Sequence, residues 1–305
     1  MGIEADWVAV DWGTSNLRAW GVGTMGEVLF SRSSGQGMSK LGPDAYPTVL
    51  TNLIAGEISS SGPAIDVLIC GMAGARQGWK EAPYLDVPAE LSRLALGAVT
   101  PLMSGSRLKP NILPGVCQKF SGDEDVMRGE ETQLLGLSTM CPGYSGLVVM
   151  PGTHSKWVML AGTRIERFST SMTGELFEVL RAHSVLRHSV NGEADAEDRE
   201  SGLEMGLAAG FEAPHRLTAN LFKIRAGSLL SGRRPGWCTG FLSGLLIGSE
   251  IGGQRDLIGG GDIPLVGGPA LSGLYARGFA MIGAGTRIVD ATDATLAGLK
   301  AARQA

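Results

Sequence analysis

The chain has 305 residues, of which 44% are hydrophobic and 18% are charged, and its formal net charge is −4. This composition is typical of a folded globular protein and argues against a disordered one. The acidic balance and the lack of a dense Lys/Arg run argue against a nucleic-acid partner. No apolar run approaches the ~20 residues of a membrane helix, so we expect no membrane contact.

Cysteine, histidine and glycine usage narrow the class of protein further. The four cysteines and four histidines show no disulfide or metal-site spacing, which favours a cytoplasmic protein with reduced thiols and no zinc. The 46 glycines are about twice the usual share of roughly 7%. They cluster in turns and between helical segments without a period, which indicates close approach of backbone segments.

The chain opens with a predicted antiparallel meander, in which strand Trp7–Trp12 and strand Leu17–Val22 flank a polar turn. Backbone amides and hydroxyls in such a turn favour phosphate oxygens. The turn consists of Gly13, Thr14, Ser15 and Asn16. Asp11, at the end of the first strand, is placed to hold a hydrated Mg²⁺. The alternative is a plain β-turn whose polar side chains bond their own backbone.

A glycine-rich loop follows the next predicted strand, residues 66–70. It contains Arg76, Gln77 and Trp79. Polar residues at the carboxyl end of a buried strand are typical of a ligand-facing loop in an α/β sheet. Surface positions are the alternative for each of them.

Residues 121–136 are predicted to form a helix opened by acidic residues. Asp125 would then lie just before the helix that leads out of the first half. A carboxylate there could accept the proton of an attacking hydroxyl. A helix N-cap is the alternative, and the residues alone do not separate Asp125 from Asp123. Pro142-Gly143 marks a boundary, giving domains 1–142 and 143–305.

The first turn recurs in altered form, since Gly152 and Thr153 lie 139 residues after Gly13 and Thr14. Met150 stands where the first copy has Asp11, so only one half would face a metal. Lys156 either adds positive charge near a phosphoryl group or is a strand-edge lysine pointing at water. Two such turns indicate two halves that bind one phosphate chain between them, as in a nucleotide-dependent phosphotransferase.

The rest of the second half is predicted to be mostly helical from 171 to 258. A strand at 263–266 then ends in a turn that suits adenosine, formed by Gly267, Gly268 and Pro269. A last helix, 294–302, is expected to pack back on the first domain. A dinucleotide dehydrogenase fits poorly, because the turn at Gly13 leads into a strand and not a helix.

These motifs, in this order, resemble the sugar-kinase, hexokinase and actin superfamily. More closely, the chain resembles the 2-dehydro-3-deoxygalactonokinase family through VDWGTSNLRAW, GMAGARQGW, DVMRGEETQLLG, MPGTHSKWV and FSTSMTGELFEVL. The resemblance implies an α/β fold of two ribonuclease-H-like, actin-like ATPase domains with ATP in the cleft between them. It also implies ATP and Mg²⁺ as cofactors and a small sugar acid as substrate.

Carried over to this sequence, the resemblance makes Asp11 the metal-side carboxylate and Asp125 the match for the catalytic base. The implied reaction phosphorylates 2-dehydro-3-deoxy-D-galactonate at its 6-hydroxyl. Candidates for the substrate pocket are Arg76, Gln77, Trp79, Arg128, Ser171, Thr173 and Glu175. Arg can grip a carboxylate with two hydrogen bonds.

Three alternatives remain open at this point. One is a kinase for another 2-keto-3-deoxy sugar acid, because one sequence does not distinguish epimers. The second is a non-catalytic, sugar-sensing protein of the same fold, and the third is an actin-like filament protein. A homodimer is also left open.

Overall fold

The computed structural model describes residues 5–59, 61–193 and 195–304. Its strands are β1 (Trp7–Trp12), β2 (Leu17–Val22), β3 (Val28–Ser34), β4 (Ile65–Gly71), β5 (Tyr84–Asp86), β6 (Ala89–Glu90), β7 (Leu108–Ile112), β8 (Gly115–Phe120), β9 (Asp123–Met127), β10 (Ser145–Met150), β11 (Ser155–Ala161), β12 (Arg164–Ser171), β13 (Ile263–Gly267) and β14 (Thr286–Asp290). Its α-helices are α1 (Tyr46–Ile54), α2 (Glu130–Met140), α3 (Thr173–His183), α4 (Arg187–Val190), α5 (Ala196–Glu212), α6 (Leu217–Leu230), α7 (Pro235–Gly253), α8 (Pro269–Ala280) and α9 (Ala291–Gln304). None of the described helices combines the length and the hydropathy needed to cross a bilayer.

The chain divides into two compact units. Unit 1 consists of Met1–Ser145, Leu160–Phe168 and Ala291–Ala305, and unit 2 of Gly146–Met159 and Ser169–Asp290. Unit 1 therefore takes in residues 160–168, which the sequence alone places in the second half. These residues include Arg164 and Ile165, which pair with Glu90 and Ala89 of β6.

Unit 1 is built on a five-stranded sheet of order β3-β2-β1-β4-β7. The predicted meander is present: β1 pairs antiparallel with β2, and β2 with β3. β4 lies parallel to both β1 and β7. The sheet packs on a core that includes Trp12, Tyr46 and Leu50, which are fully buried. The ends of β1 and β4 therefore lie side by side, which is where parallel strands place ligand loops.

The predicted helix over residues 121–136 is wrong in its first half. Residues 121–122 form a two-residue turn between β8 and β9, with Phe120 opposite Asp123 and Gly122 at φ +83°. A positive φ at this position is what a tight hairpin requires and what a helix excludes. Gly129, at φ +107°, separates β9 from α2, so the helix begins only at Glu130.

Helix α9 packs on α2 within unit 1, with backbone against backbone. A Cβ on Gly136 would lie on the carbonyl of Ala294, and one on Gly298 would lie on the carbonyl of Thr132. Arg303 forms an ion pair with Asp66 of β4 at 2.9 Å. The last helix thus belongs to the unit that contains the first strand.

Unit 2 has a sheet in which β13 lies between β14 and β10, parallel to both. β11 follows on the other side of β10, and β12 follows β11. Helices α3 to α8 belong to the same unit, and α8 packs on β13 and β14. Its core includes Trp157, Leu265 and Phe279, each at most 1% exposed.

Helices α5 and α7 pack through glycines, and the expectation that the glycines have no period is wrong here. Glycines recur every four residues on α5 (202, 206 and 210) and on α7 (236, 240, 244, 248 and 252). A Cβ on Gly206 would lie on the Phe241 carbonyl, and one on Gly244 on the Leu203 carbonyl. Four-residue spacing keeps the glycines on one helix face, so the two backbones meet along a seam.

Candidate functional site

The first Gly-Thr turn (residues 13–16) is fixed in place because its carbonyl groups accept hydrogen bonds from residues 37–39. Gly37, Met38 and Ser39 donate their amides to the carbonyls of Ser15, Gly13 and Thr14, at 2.9–3.2 Å. The Gly13 amide donates to the Asn16 carbonyl at 2.8 Å, so it is not available to a ligand. The following three amides donate to no protein acceptor within the described residues. The turn can therefore present amides, but from residues 14–16 only.

Asp11 lies on β1 directly opposite Arg18 on β2 and Cys70 on β4. Its Oδ2 is 3.5 Å from Arg18 Nη1. Burial raises the pKa of the Asp11 carboxyl, Arg18 lowers it and the nearby Glu130 raises it again. Burial also raises the pKa of the Cys70 thiol, which lies 3.9 Å from Asp11 Oδ1. The strand end is thus a place where a further positive charge would be stabilised.

The start of α2 holds a buried carboxyl group that the sequence analysis did not single out. Glu131 is 0% exposed and accepts the Gly129 amide at 2.7 Å and the Thr132 hydroxyl at 3.1 Å. Burial, with a smaller contribution from Glu130, raises its pKa to about 7. A Cβ on Gly129 would lie 3.4 Å from the Gly71 Cα, so α2 begins against the end of β4.

Arg128 of unit 1 is half-buried, and part of its guanidinium group is shielded from solvent. Its Nη2 donates to the Ala82 carbonyl at 2.8 Å, and its guanidinium carbon lies 4.3 Å from the centre of the Tyr84 ring. Nε and Nη1 are buried and have no acceptor among the described residues. A Cβ on Gly74 would lie 2.9 Å from Nη1, so the loop after β4 passes directly beside the group. Buried charged donors of this kind ordinarily have partners, so Arg128 is suited to an anionic ligand.

The other predicted residues of this loop divide into two kinds. Arg76 and Gln77 are exposed. Trp79 instead stacks on Tyr46 at 6.0 Å between ring centres and meets Trp12 edge-on at 6.2 Å. Trp79 is therefore part of an aromatic cluster at the base of the loop, and its ring packs against protein.

Asp125 and Asp123 both lie on β9, not before a helix as predicted. Asp125 pairs with Gln118 across the hairpin, is half-buried and accepts the Val126 amide at 2.7 Å. Asp123 is exposed and accepts the Gln118 side-chain amide at 2.8 Å. The N-cap alternative is excluded for both, because α2 begins at Glu130.

The second Gly-Thr turn (residues 152–154) joins β10 and β11 in unit 2 and packs against the start of α3. Glu175 donates its amide to the Thr153 carbonyl at 2.9 Å, and its carboxylate lies 2.5 Å from His154 Nε2. A Cβ on Gly174 would lie on the Gly152 carbonyl and 2.8 Å from the Thr153 Cα. Only glycine at 174 allows the helix this close to the turn.

Lys156 is not a strand-edge lysine facing water. It is 5% exposed, and its Nζ donates to the Thr170 hydroxyl at 2.7 Å, which links β11 to β12. Ser171 ends β12 and is half-buried.

Thr173, predicted as a substrate residue, instead joins a buried polar group that we call the Glu250 cluster (Ser155, Trp157, Thr173, Glu250 and Tyr275). The Glu250 carboxylate accepts the Trp157 indole N–H and the Tyr275 hydroxyl, each at 2.6 Å, and the Thr173 hydroxyl. Ser155 bonds the Tyr275 hydroxyl at 2.8 Å. Burial raises the pKa of Glu250, and these hydrogen bonds oppose the shift.

The predicted adenosine turn lies beside the second Gly-Thr turn. Gly267 ends β13, Gly268 precedes α8 and Pro269 is its first residue. A Cβ on Gly267 would lie 3.1 Å from the Pro151 carbonyl. A cavity of about 410 Å³ opens next to these segments, lined by Gly152, Thr153, Thr173, Leu246, Leu271 and Tyr275 among others. Its mostly apolar lining beside a polar turn suits a base joined to phosphates.

Comparison with known proteins then assigns the family. A profile of 2-keto-3-deoxy-galactonokinase matches residues 11–302. The chain belongs to that family. The Rhizobium meliloti (strain 1021) protein named probable 2-dehydro-3-deoxygalactonokinase is 44% identical over 316 residues, covering 100% of this chain and 99% of the relative. The 2-dehydro-3-deoxygalactonokinase of Escherichia coli (strain K12) is 36% identical over 300 residues, covering 98% and 97%. The prediction of a carbohydrate kinase is confirmed.

Solved structures agree with the 2-keto-3-deoxy-galactonokinase assignment and identify the fold. A Sinorhizobium meliloti protein described as a candidate 2-dehydro-3-deoxygalactonokinase superposes with a TM-score of 0.90 at 42% identity, covering 98% of both chains. Component A of the (R)-2-hydroxyglutaryl-CoA dehydratase of Acidaminococcus fermentans gives 0.54 at 11%, covering 98% of both. The Clostridium difficile activator of 2-hydroxyisocaproyl-CoA dehydratase, with bound ADPNP, gives 0.51 at 12%, covering 98% and 94%. The last two show the fold alone, and the predicted α/β actin-like ATPase fold is confirmed.

Proposed function

We propose that this chain transfers the γ-phosphoryl group of ATP to the 6-hydroxyl of 2-dehydro-3-deoxy-D-galactonate, forming the 6-phosphate and ADP. The proposal is supported by family membership over residues 11–302. It is also supported by two full-length relatives named 2-dehydro-3-deoxygalactonokinase, one of them as probable. In the reaction the hydroxyl oxygen bonds to the γ-phosphorus, the bond to the β–γ bridging oxygen breaks and the hydroxyl proton passes to a base.

The observation that supports an acidic substrate is the environment of Arg128. Its two buried nitrogens without protein acceptors are charged donors beside the loop that follows β4. A carboxylate can accept a charge-assisted hydrogen bond from either of these nitrogens. The cation–π contact with Tyr84 and the bond to the Ala82 carbonyl hold the guanidinium in place. We assign Arg128 to the substrate carboxylate, with the exposed Arg76 and Gln77 as further contacts.

For ATP, each unit supplies its own elements. Unit 1 offers the amides of Thr14, Ser15 and Asn16, and unit 2 offers Gly152 and Thr153 next to the apolar cavity. The cavity and the turn from Gly267 to Pro269 lie in the same unit, which supports adenosine binding there. Lys156, buried against Thr170, would act on the turn through the strand and not by direct contact.

The residues near the first turn fit a Mg²⁺ ion that keeps most of its water. Within the described residues, no three His, Cys, Asp or Glu side chains converge into a metal site, so water would supply most of the ligands of the ion. Asp11 supplies one carboxylate, and a cation beside it would oppose the rise in its pKa that burial causes. When bound, the ion would neutralise phosphate charge, while Asp11 would hold it through water.

Asp125 is our proposed general base. It is half-buried, whereas Asp123 is exposed and bonded by Gln118. Asp125 also lies on the strand that leads directly to Arg128, and so on the same segment as the proposed carboxylate site. The remaining catalytic effect would come from positioning and exclusion of water.

The test is acceptor-dependent ADP release, measured with a coupled assay over a panel of acceptors. The panel contains the galacto and gluco forms of the 2-keto-3-deoxy sugar acid and a neutral deoxy sugar of the same length. We expect release with the galacto acid above the other two. Release that does not depend on any sugar acid would overturn the proposal, and a preference for the gluco form would change the named substrate.

A further inference from the structure

The Glu250 cluster joins four elements of unit 2 around one carboxylate. Glu250 comes from α7, Trp157 and Ser155 from β11, Thr173 from the first position of α3 and Tyr275 from α8. Both carboxylate oxygens are used, one by the indole N–H and the other by two hydroxyls. A carboxylate that is 7% exposed is costly to bury, and three donated hydrogen bonds offset that cost.

This cluster is linked to the second Gly-Thr turn by a short path. Thr173 bonds Glu250, and the next two residues of α3 contact the turn: Gly174 packs on the Gly152 carbonyl and Glu175 donates to the Thr153 carbonyl. Moving the start of α3 would therefore move the turn. Thr173 and Tyr275 also line the adjacent cavity of about 410 Å³.

We propose that Glu250 is a positioning residue for nucleotide binding, which fixes the second Gly-Thr turn and the wall of the adjacent cavity through the hydroxyls of Thr173 and Tyr275. The proposal rests on the proposed function, in which this turn binds ATP phosphates. It assigns Thr173 to the nucleotide side through its hydrogen bond, instead of to the sugar acid. Glu250 itself touches neither substrate.

Two kinds of change separate this role from general stabilisation. In Glu250→Gln, an amide nitrogen replaces one oxygen and accepts no hydrogen bond, so either the indole N–H or the two hydroxyls lose their acceptor. Thr173→Val removes one hydroxyl at constant shape, and Thr173→Ser keeps it. Ser249→Ala is the matched control, because Ser249 is a buried residue of α7 whose hydroxyl has no partner within the described residues.

The measurement is ADP affinity by calorimetry without sugar acid, together with KM for ATP and for the sugar acid. We expect Glu250→Gln and Thr173→Val to weaken ADP binding and raise KM for ATP by about tenfold, the scale of one lost hydrogen bond to a charged group. Thr173→Ser should restore most of the ADP affinity lost in Thr173→Val. KM for the sugar acid should stay within about twofold, since it binds elsewhere.

Three outcomes would overturn the proposal: unchanged ADP affinity with a lower melting temperature, equal rises in both KM values, or equal effects of Thr173→Val and Thr173→Ser. If Glu250→Gln does not fold, the Thr173 pair decides. Native protein that binds ADP but phosphorylates no sugar acid would refute the proposed function alone. Native protein that does not bind ADP would refute both.

Discussion

The guanidinium carbon of Arg128 lies 4.3 Å from the centre of the Tyr84 ring, and this contact orients a charged group whose Nε and Nη1 have no protein acceptor among the described residues. Arg128→Lys keeps the charge but loses the planar guanidinium with its fixed N–H donors. We expect KM for the sugar acid to rise about tenfold or more, with KM for ATP changed less than about threefold. Arg76→Lys, on the exposed part of the neighbouring loop, should have a smaller effect. A KM unchanged in Arg128→Lys would remove Arg128 from the carboxylate site.

Asp125→Asn should lower kcat by about 100-fold or more, the scale of general-base catalysis, because the amide cannot take the hydroxyl proton. ADP affinity, measured by calorimetry, should stay near the native value. Asp123→Asn is the comparison, since Asp123 lies on the same strand but is exposed. A reversed pattern would transfer the role to Asp123, and near-normal turnover in both would exclude either residue as the base.

Asp11→Asn should weaken the Mg²⁺ dependence of the reaction, because the amide no longer attracts the hydrated cation. The measurement is a Mg²⁺ titration of initial rate at saturating ATP and sugar acid. We expect the half-maximal Mg²⁺ concentration to rise about tenfold. The same midpoint in native protein and variant would contradict the assignment.

The buried Glu131 carboxyl predicts how stability changes with pH. Its pKa is raised from 4.5 to about 7, so between these values the folded state retains a proton that the unfolded state has lost. Its contribution to stability is therefore complete below about pH 4.5 and is lost as the pH rises towards 7, by about 1.4 kcal/mol per pH unit. The measurement is the unfolding free energy of native protein and of Glu131→Gln, by denaturant titration at pH 5 and pH 8. The difference between the two proteins should change by about 3 kcal/mol between these pH values. A difference independent of pH would contradict the shift.

The glycine seam between α5 and α7 predicts opposite effects for one substitution at two helical glycines. In Gly206→Ala the new methyl group would meet the Phe241 carbonyl and lie 2.7 Å from the Leu245 nitrogen. We expect a loss of about 1–3 kcal/mol of unfolding free energy from overpacking. Gly273→Ala, on α8 with open space around its Cβ position, should instead stabilise by about 0.5–1 kcal/mol. Equal effects in a denaturant titration would show that the seam does not limit side-chain size.

Local patterns predicted the parts of the fold that local forces determine. The bounds of β1 and β2 are the predicted ones, because two mostly apolar runs flank a short polar turn. The helix prediction for residues 121–129 was wrong because three acidic residues before an apolar run are typical of a helix start. The tertiary pairing of β9 with β8, with glycines at positive φ on both sides, determines the strand instead.

The candidate site shows the same division. Within each Gly-Thr turn the residues are consecutive in sequence, so the pattern of each turn is visible in the chain. The Glu250 cluster draws on positions from Ser155 to Tyr275, and no short motif contains it. Glu131 was visible as a helix residue, but its raised pKa comes from complete burial, which a sequence does not display.

The place of α9 has a consequence for synthesis on the ribosome. Unit 1 needs α9 against α2, yet residues 291–304 are translated after all of unit 2. The face of α2 that receives Ala294 and Gly298 stays uncovered while residues 146–290 emerge. Unit 2 can therefore complete its packing first, and the unit that begins the chain is finished second. A nascent chain stalled after residue 290 should expose that face to chaperones.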